Sequence, residues 1–276
     1  MRVTSAGLLL LLPWLAGTAL ATAPTLPKDQ VVKTMALQAF FHAPLAWKLT
    51  VYQPVPKYGL PSRHPVRACF TRPPTDGGES YTSCSNLYAP GYVQGFGRYP
   101  CQRFDRATLE MLPGLRGVAS RPSLVIRAHY ASGSIGRLDC LFVWTFDAPR
   151  KKHPGQVGWF SKAFESDTDQ TGQQEFIEKG PLAGTFVSVD QLWQLSPAEP
   201  NIESPMRFSI EVDAPNTYGY MKVLAFMTRK RYPNRISNRG TPNPIATLTP
   251  EIAHALRAIY PNGVASLMER RQTGTQ

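Results

Sequence analysis

Ser123-Leu-Val-Ile-Arg-Ala-His-Tyr130 and Leu138-Asp-Cys-Leu-Phe-Val-Trp-Thr-Phe146 are the two stretches whose reading decides the fold. Both are rich in branched and aromatic side chains, which fit a pleated, half-buried surface. Between them runs Ala131-Ser-Gly-Ser-Ile-Gly136, a segment of small turn-forming residues. Two such runs joined by a short Gly-containing loop predict a β-hairpin. The core of the chain is therefore expected to be antiparallel.

Toward the C-terminus, Gly184 to Trp193 reads as a further strand. Met206, Phe208, Ile210 and Val212 then alternate with Arg207, Ser209, Glu211 and Asp213, the period-2 pattern of a strand with one buried face. Pro215 to Gly219 turns the chain, and Tyr220 to Thr228 returns as its partner. Thr249-Pro250-Glu251 is a helix-start signature, with Ile252, Leu256 and Ile259 as the apolar stripe. Toward the N-terminus, Leu45, Trp47, Leu49 and Val51 alternate as a strand, and Val66 to Phe70 is a short one. Residues 71–103 read as loop, with Pro73-Pro74 and Asp76-Gly77-Gly78 as turn signals. Helices are expected over Pro27 to Ala43 and Ala107 to Leu112, ended by Pro44 and by Pro113-Gly114. About eight strands and two or three helices imply a mostly antiparallel β or α+β fold. Its core is expected to be β-sandwich-like, with a short N-terminal and a C-terminal helix.

The first residues read differently. Met1-Arg2 carries a positive charge, and Leu8 to Ala16 is an apolar run shorter than the ~20 residues a spanning helix needs. Ala19-Leu20-Ala21 fits the small-residue cleavage pattern of a secretory signal. Residues 1–21 are thus expected to be a signal peptide, and residues 22–276 a single soluble, β-rich exported domain starting at Thr22. No later stretch is long enough to span a membrane as a helix. All four cysteines, Cys69, Cys84, Cys101 and Cys140, lie beyond the signal. An even number in an exported chain predicts two disulfides. Three pairings are open, and turn residues between Cys69 and Cys84 favour Cys69–Cys84 with Cys101–Cys140. No close C-x-x-C pair supports zinc. The expected location is periplasmic or secreted.

The formal charge is +11. A basic exported protein is drawn to anionic envelope polymers, lipid head groups or nucleic acid, and no nucleic-acid motif of the usual kinds is present. The densest basic stretch is Arg229-Lys230-Arg231, continued by Arg235 and Arg239. Guanidinium groups fork onto phosphate or carboxylate; the alternative is a solvated strand end. Trp144, Trp159 and Trp193 are candidates for a sugar-stacking platform, with Trp144 placed in the core by its apolar strand.

His129, Ser132, Ser134 and Asp139 supply hydrolase residue types around one hairpin. Yet Gly133-Ser134-Ile135-Gly136 is not G-x-S-x-G, and Ser and Gly are the ordinary residues of such a loop. The other histidines are dispersed, with no H-E-x-x-H. Asp167, Asp169, Thr171, Gly172 and Glu178 stand at positions one, three, five, six and twelve of a run that resembles an EF-hand calcium loop. The resemblance implies calcium held by Asp167, Asp169, Thr171 and Glu178, with Trp159, Phe160 and Phe164 on an entering helix. Gln174 at position eight and Gly180-Pro181 depart from that family, and a polar loop between strands is the other reading. No other cofactor is implied.

No catalytic constellation is assembled by the sequence. The expected function is a non-catalytic binding or structural role in the bacterial cell envelope, with an anionic envelope polymer or an envelope protein as partner. The alternative is an exported hydrolase acting on such a polymer.

Overall fold

The computed structural model describes residues 29–56, 64–75, 79–93, 97–114, 120–132, 136–148, 157–169, 172–192, 205–216, 219–232 and 244–261. The expected signal segment lies outside them. Strands β1 (Asp29–Ala36), β2 (Lys48–Pro54), β3 (Arg67–Arg72) and β4 (Tyr81–Asn86) form a first sheet in that order. Helix α1 (Gln38–Phe41) lies between β1 and β2. Strands β5 (Tyr88–Val93) and β6 (Gly97–Pro100) form a small two-stranded sheet. Strands β7 (Arg103–Pro113), β8 (Ser120–Ser132), β9 (Gly136–Asp147) and β10 (Trp159–Asp169) form a second large sheet. Strands β11 (Gln173–Phe176), β12 (Phe186–Gln191), β13 (Phe208–Asn216) and β14 (Gly219–Met227) form a third, followed by helix α2 (Pro244–Ile259). Strand pairing within all four sheets is antiparallel.

Side-chain alternation on the β8–β9 hairpin sets the layering. Leu124, Ile126, Phe142 and Trp144 pack with Leu49, Val51, Ala68 and Phe70 of the first sheet. Val125, Leu141 and Val143 face the other way, onto Phe186 with Phe164, Phe176 and Tyr220. The second sheet is therefore covered on both faces, which explains why Cys140 to Phe146 is an unbroken buried run. The far face of the third sheet puts Val187, Val189, Phe208, Ile210 and Val212 against Ile245, Leu248, Ile252 and Leu256 of α2. The fold is mostly antiparallel β, with sandwich-like packing and helices at the two expected places.

Cys69 and Cys84 are register partners on β3 and β4, bridged with 4.0 Å between their Cα atoms. Cys101, just past β6, is bridged to Cys140 on β9. The pairing is the favoured one of the three. Two disulfides point to an oxidising, extracytoplasmic compartment. Among the described residues no helix is long and apolar enough to cross a membrane.

Several local expectations are corrected. Pro27 to Ala43 is not one helix: Asp29–Ala36 pairs with β2, and only Gln38–Phe41 is helical. The branched residues Val31, Val32 and Thr34 serve as an edge strand. Ala107 to Leu112 is part of β7, paired with β8 from Arg103 to Pro113. Residues 71–103 are not mainly loop. They contain β4, β5 and β6, tied inward where Leu87 N–H donates to Val66 O and Cys101 N–H donates to Leu87 O. Helix α2 starts at Pro244, so Thr249 is interior, and its hydroxyl donates back to Ile245 O at 2.8 Å.

Candidate functional site

The polar face of β13 is only partly open to solvent. Ser209, Glu211 and Asp213, with Ser188 and Asp190 of β12, line a cleft of ≈ 420 Å³ against β10. Asp167 of β10 and Gly91 of β5 complete its wall. A Cβ on Gly91 would stand 3.2 Å from Asp167 Oδ2, so the β5 backbone comes close to that carboxylate.

Asp190 is the most perturbed group. Its Oδ1 accepts the Asp169 backbone N–H at 3.0 Å. Burial, reinforced by Asp169, Asp167 and Glu211, pushes its carboxyl up to about 7 against that hydrogen bond. Burial, then Glu211, raises Asp213 to about 6, opposed by Lys222. Burial also raises Asp167, although the Gly91 backbone N–H favours its charged form. Glu211 is paired with Lys222 at the rim. The cleft thus holds two carboxyl groups, Asp190 and Asp213, that take up a proton at mildly acidic to neutral pH, beside Glu211 in its ion pair with Lys222. Such a set offers hydrogen bonds to a hydroxyl-rich ligand and a route for proton transfer.

The sequence pattern carried the polar face of β13 but not its burial. Ser188, Asp190, Ser209, Glu211 and Asp213 share one face of two adjacent strands, and a solvated face has the same pattern as a cleft wall.

The hairpin does bring His129 opposite Asp139 across β8 and β9. The acid that reaches the imidazole is a different one. His129 Nδ1 lies 2.8 Å from Asp105 Oδ1. The β7–β8 register shifts between Phe104 and Arg106, so Asp105 sits in a bulge, a device that re-aims a side chain. Asp139 pairs with Arg137 instead, at 2.5 Å. Ser134 lies outside the described residues.

The entering helix expected before the calcium loop is corrected. Trp159 to Phe164 belongs to a strand, so no entering helix exists, and Gln173–Phe176 is strand β11 where the loop would continue. Asp167 and Asp169 end β10, Thr171 lies outside the described residues, and Glu178 is exposed beyond β11. The segment is a connection between two strands. Among the described residues, no group of three or more His, Cys, Asp or Glu is arranged to hold a metal ion.

Of the aromatic candidates, Trp144 is buried in the core and Trp159 is half exposed, while Trp193 lies outside the described residues. Arg229, Lys230 and Arg231 are exposed just past β14; Arg235 and Arg239 lie outside the described residues. The backbone beneath the three cations is fixed. The buried Thr228 hydroxyl accepts Phe208 N–H at 3.0 Å and donates to Lys230 O at 2.9 Å. Glu251 of α2 accepts Arg229 N–H at 3.3 Å and the Tyr232 hydroxyl at 2.7 Å. Burial and that carboxylate push the Tyr232 hydroxyl up to about 12. Compared with protein-family models, with curated proteins and with solved structures, the chain matches none.

Proposed function

We propose that this chain is an exported, non-catalytic binding protein of the bacterial cell envelope, periplasmic or secreted, that holds an anionic envelope polymer. The turn Arg229-Lys230-Arg231 is the contact surface. The observation that carries this reading is a basic turn with a fixed backbone on which Arg229 and Lys230 carry available charge. Two side chains, Thr228 and Glu251, hold its main chain. Arg229 and Lys230 are exposed and enter no ion pair among the described residues. A main chain that is already fixed loses little freedom on binding, and Arg suits carboxylate or phosphate. The chain's charge of +11 adds long-range attraction to such a polymer. The test is retention on an immobilised polyuronate as salt is raised, for the parent and for R229Q/K230Q/R231Q. Equal retention of both would remove the turn from the contact surface.

A second reading, an exported hydrolase acting on the same kind of polymer, is favoured by one observation. Asp190 at about 7 and Asp213 at about 6 share a cleft, the combination that general acid–base chemistry uses. Its test is release of soluble saccharide from a polyuronate. Release by the parent that is lost in Asp190→Asn would replace the binding reading. No release by either protein leaves the cleft without catalysis.

A further inference from the structure

Arg106 of β7 and Arg127 of β8 are register partners, directly opposite each other across two neighbouring strands. Like charges in that relation repel. Neither guanidinium makes a hydrogen bond or ion pair among the described residues. Both line a cleft of ≈ 400 Å³ between β7–β9 and β11, a size that admits a small organic ligand. On the opposite wall stands Gln174 of β11, 9 % exposed. Its Nε2 donates to Asp139 O at 2.9 Å, which fixes the orientation of the amide. Its Oε1 is buried and has no hydrogen-bond partner. A buried acceptor left unmatched is costly, and an exception of this kind calls for a partner.

We propose that this cleft binds a carboxylate that carries an adjacent N–H or O–H group. The two guanidiniums take the carboxylate oxygens, and Gln174 Oε1 accepts the neighbouring N–H or O–H. The charge of the lining favours a monoanion. Arg106, Arg127 and Arg137 stand against Asp105 and Asp139, with Arg137 already ion-paired with both aspartates. Glu110, the remaining acid felt by Arg127, is bonded by the Thr108 hydroxyl and does not line the cleft. Burial lowers the pKa of the Arg127 guanidinium, so an anion brought beside it is favoured. Two sources share this ligand chemistry: a sugar acid, with a hydroxyl beside its carboxylate, and the C-terminus of a peptide, with an amide N–H beside it. The site is separate from the Arg229–Arg231 turn and stands without it.

Calorimetric titration of the full exported chain tests this with three probes: gluconate, whose carboxylate has a hydroxyl on the neighbouring carbon, N-acetylglycine, and propionate, which lacks the donor. Gluconate or N-acetylglycine, or both, should bind at least about tenfold more tightly than propionate, a difference readily resolved in Kd. Which of the two binds identifies the source. Gln174→Met should remove that preference without weakening propionate. Arg127→Gln should weaken the carboxylates by about tenfold or more. Should that variant not fold, Arg106→Gln, at an exposed position, serves in its place. It should weaken binding and also raise the melting temperature of the ligand-free protein, because it relieves the cross-strand repulsion. No binding of either donor-bearing probe, or binding unchanged in both arginine variants, overturns the proposal.

Discussion

Asp190 Oδ1 stands 2.3 Å from the point where a Cβ on Gly172 would lie. The same Cβ would fall 2.8 Å from Val189 O and from the Thr168 Cβ. The turn after β10 can fold over β12 only because residue 172 has no side chain. Gly172 also lines the Arg127 cleft, while Asp190 lines the acidic one. One glycine therefore lines one cleft and lies against a residue that lines the other. Gly172→Ala is expected to lower stability by about 1–3 kcal/mol, since two of the three obstructing neighbours are backbone or branched carbon. Urea denaturation of the variant checks this, and an unchanged midpoint would mean the turn moves freely.

Stability should fall as pH rises from about 4 to about 7. Asp190 is held at about 7 in the fold, while an unfolded aspartate titrates near ~3.9. The folded chain therefore binds this proton more tightly than the unfolded chain does. Its contribution is full below ~4, declines through the window and is gone above ~7. Asp213, at about 6, acts in the same sense over a narrower window. Asp190→Asn keeps an acceptor for the Asp169 N–H and removes the titration. It should be more stable than the parent at pH 8 by about 2–4 kcal/mol relative to the difference at pH 4. Parallel pH profiles for the two proteins would contradict the assignment.

The two disulfides should differ in weight. Cys101–Cys140 spans 39 residues and both its cysteines are buried in the core shared by the first two large sheets. Cys69–Cys84 spans 15, and Cys84 is exposed. Chain entropy alone assigns about 4 kcal/mol to the first and about 3 kcal/mol to the second. Replacing the first pair by alanine also leaves a void. C101A/C140A should therefore denature at lower urea than C69A/C84A. The reverse order would show that the β3–β4 staple matters more than its loop length.

What the sequence made legible follows from periodicity. The β8–β9 hairpin and the alternation in β13 announced an antiparallel sheet core, and the cysteine spacing favoured the disulfide pairing that is present. Local signals failed where tertiary pairing overrode them. Ala107 to Leu112 has good helix formers, yet it pairs with β8, the strand that follows it. The helix spacing of Val32, Met35 and Ala36 is satisfied equally by a strand edge. The acidic cleft was hidden for another reason. Polar residues at period 2 say which way a side chain points and say nothing of a second sheet stacked over it. Asp105 was hidden by a bulge, since a register shift of one residue leaves no mark in composition.

The most direct test of the binding account is the salt dependence of retention on immobilised polyuronate. The parent should be held at low salt and released steeply as salt rises, because screening shortens the reach of exposed charges to ~8 Å at physiological ionic strength. R229Q/K230Q/R231Q should elute at clearly lower salt with an unchanged melting temperature, since exposed substitutions cost within ~0.5 kcal/mol. A folded triple variant that elutes with the parent at every salt concentration would contradict the account.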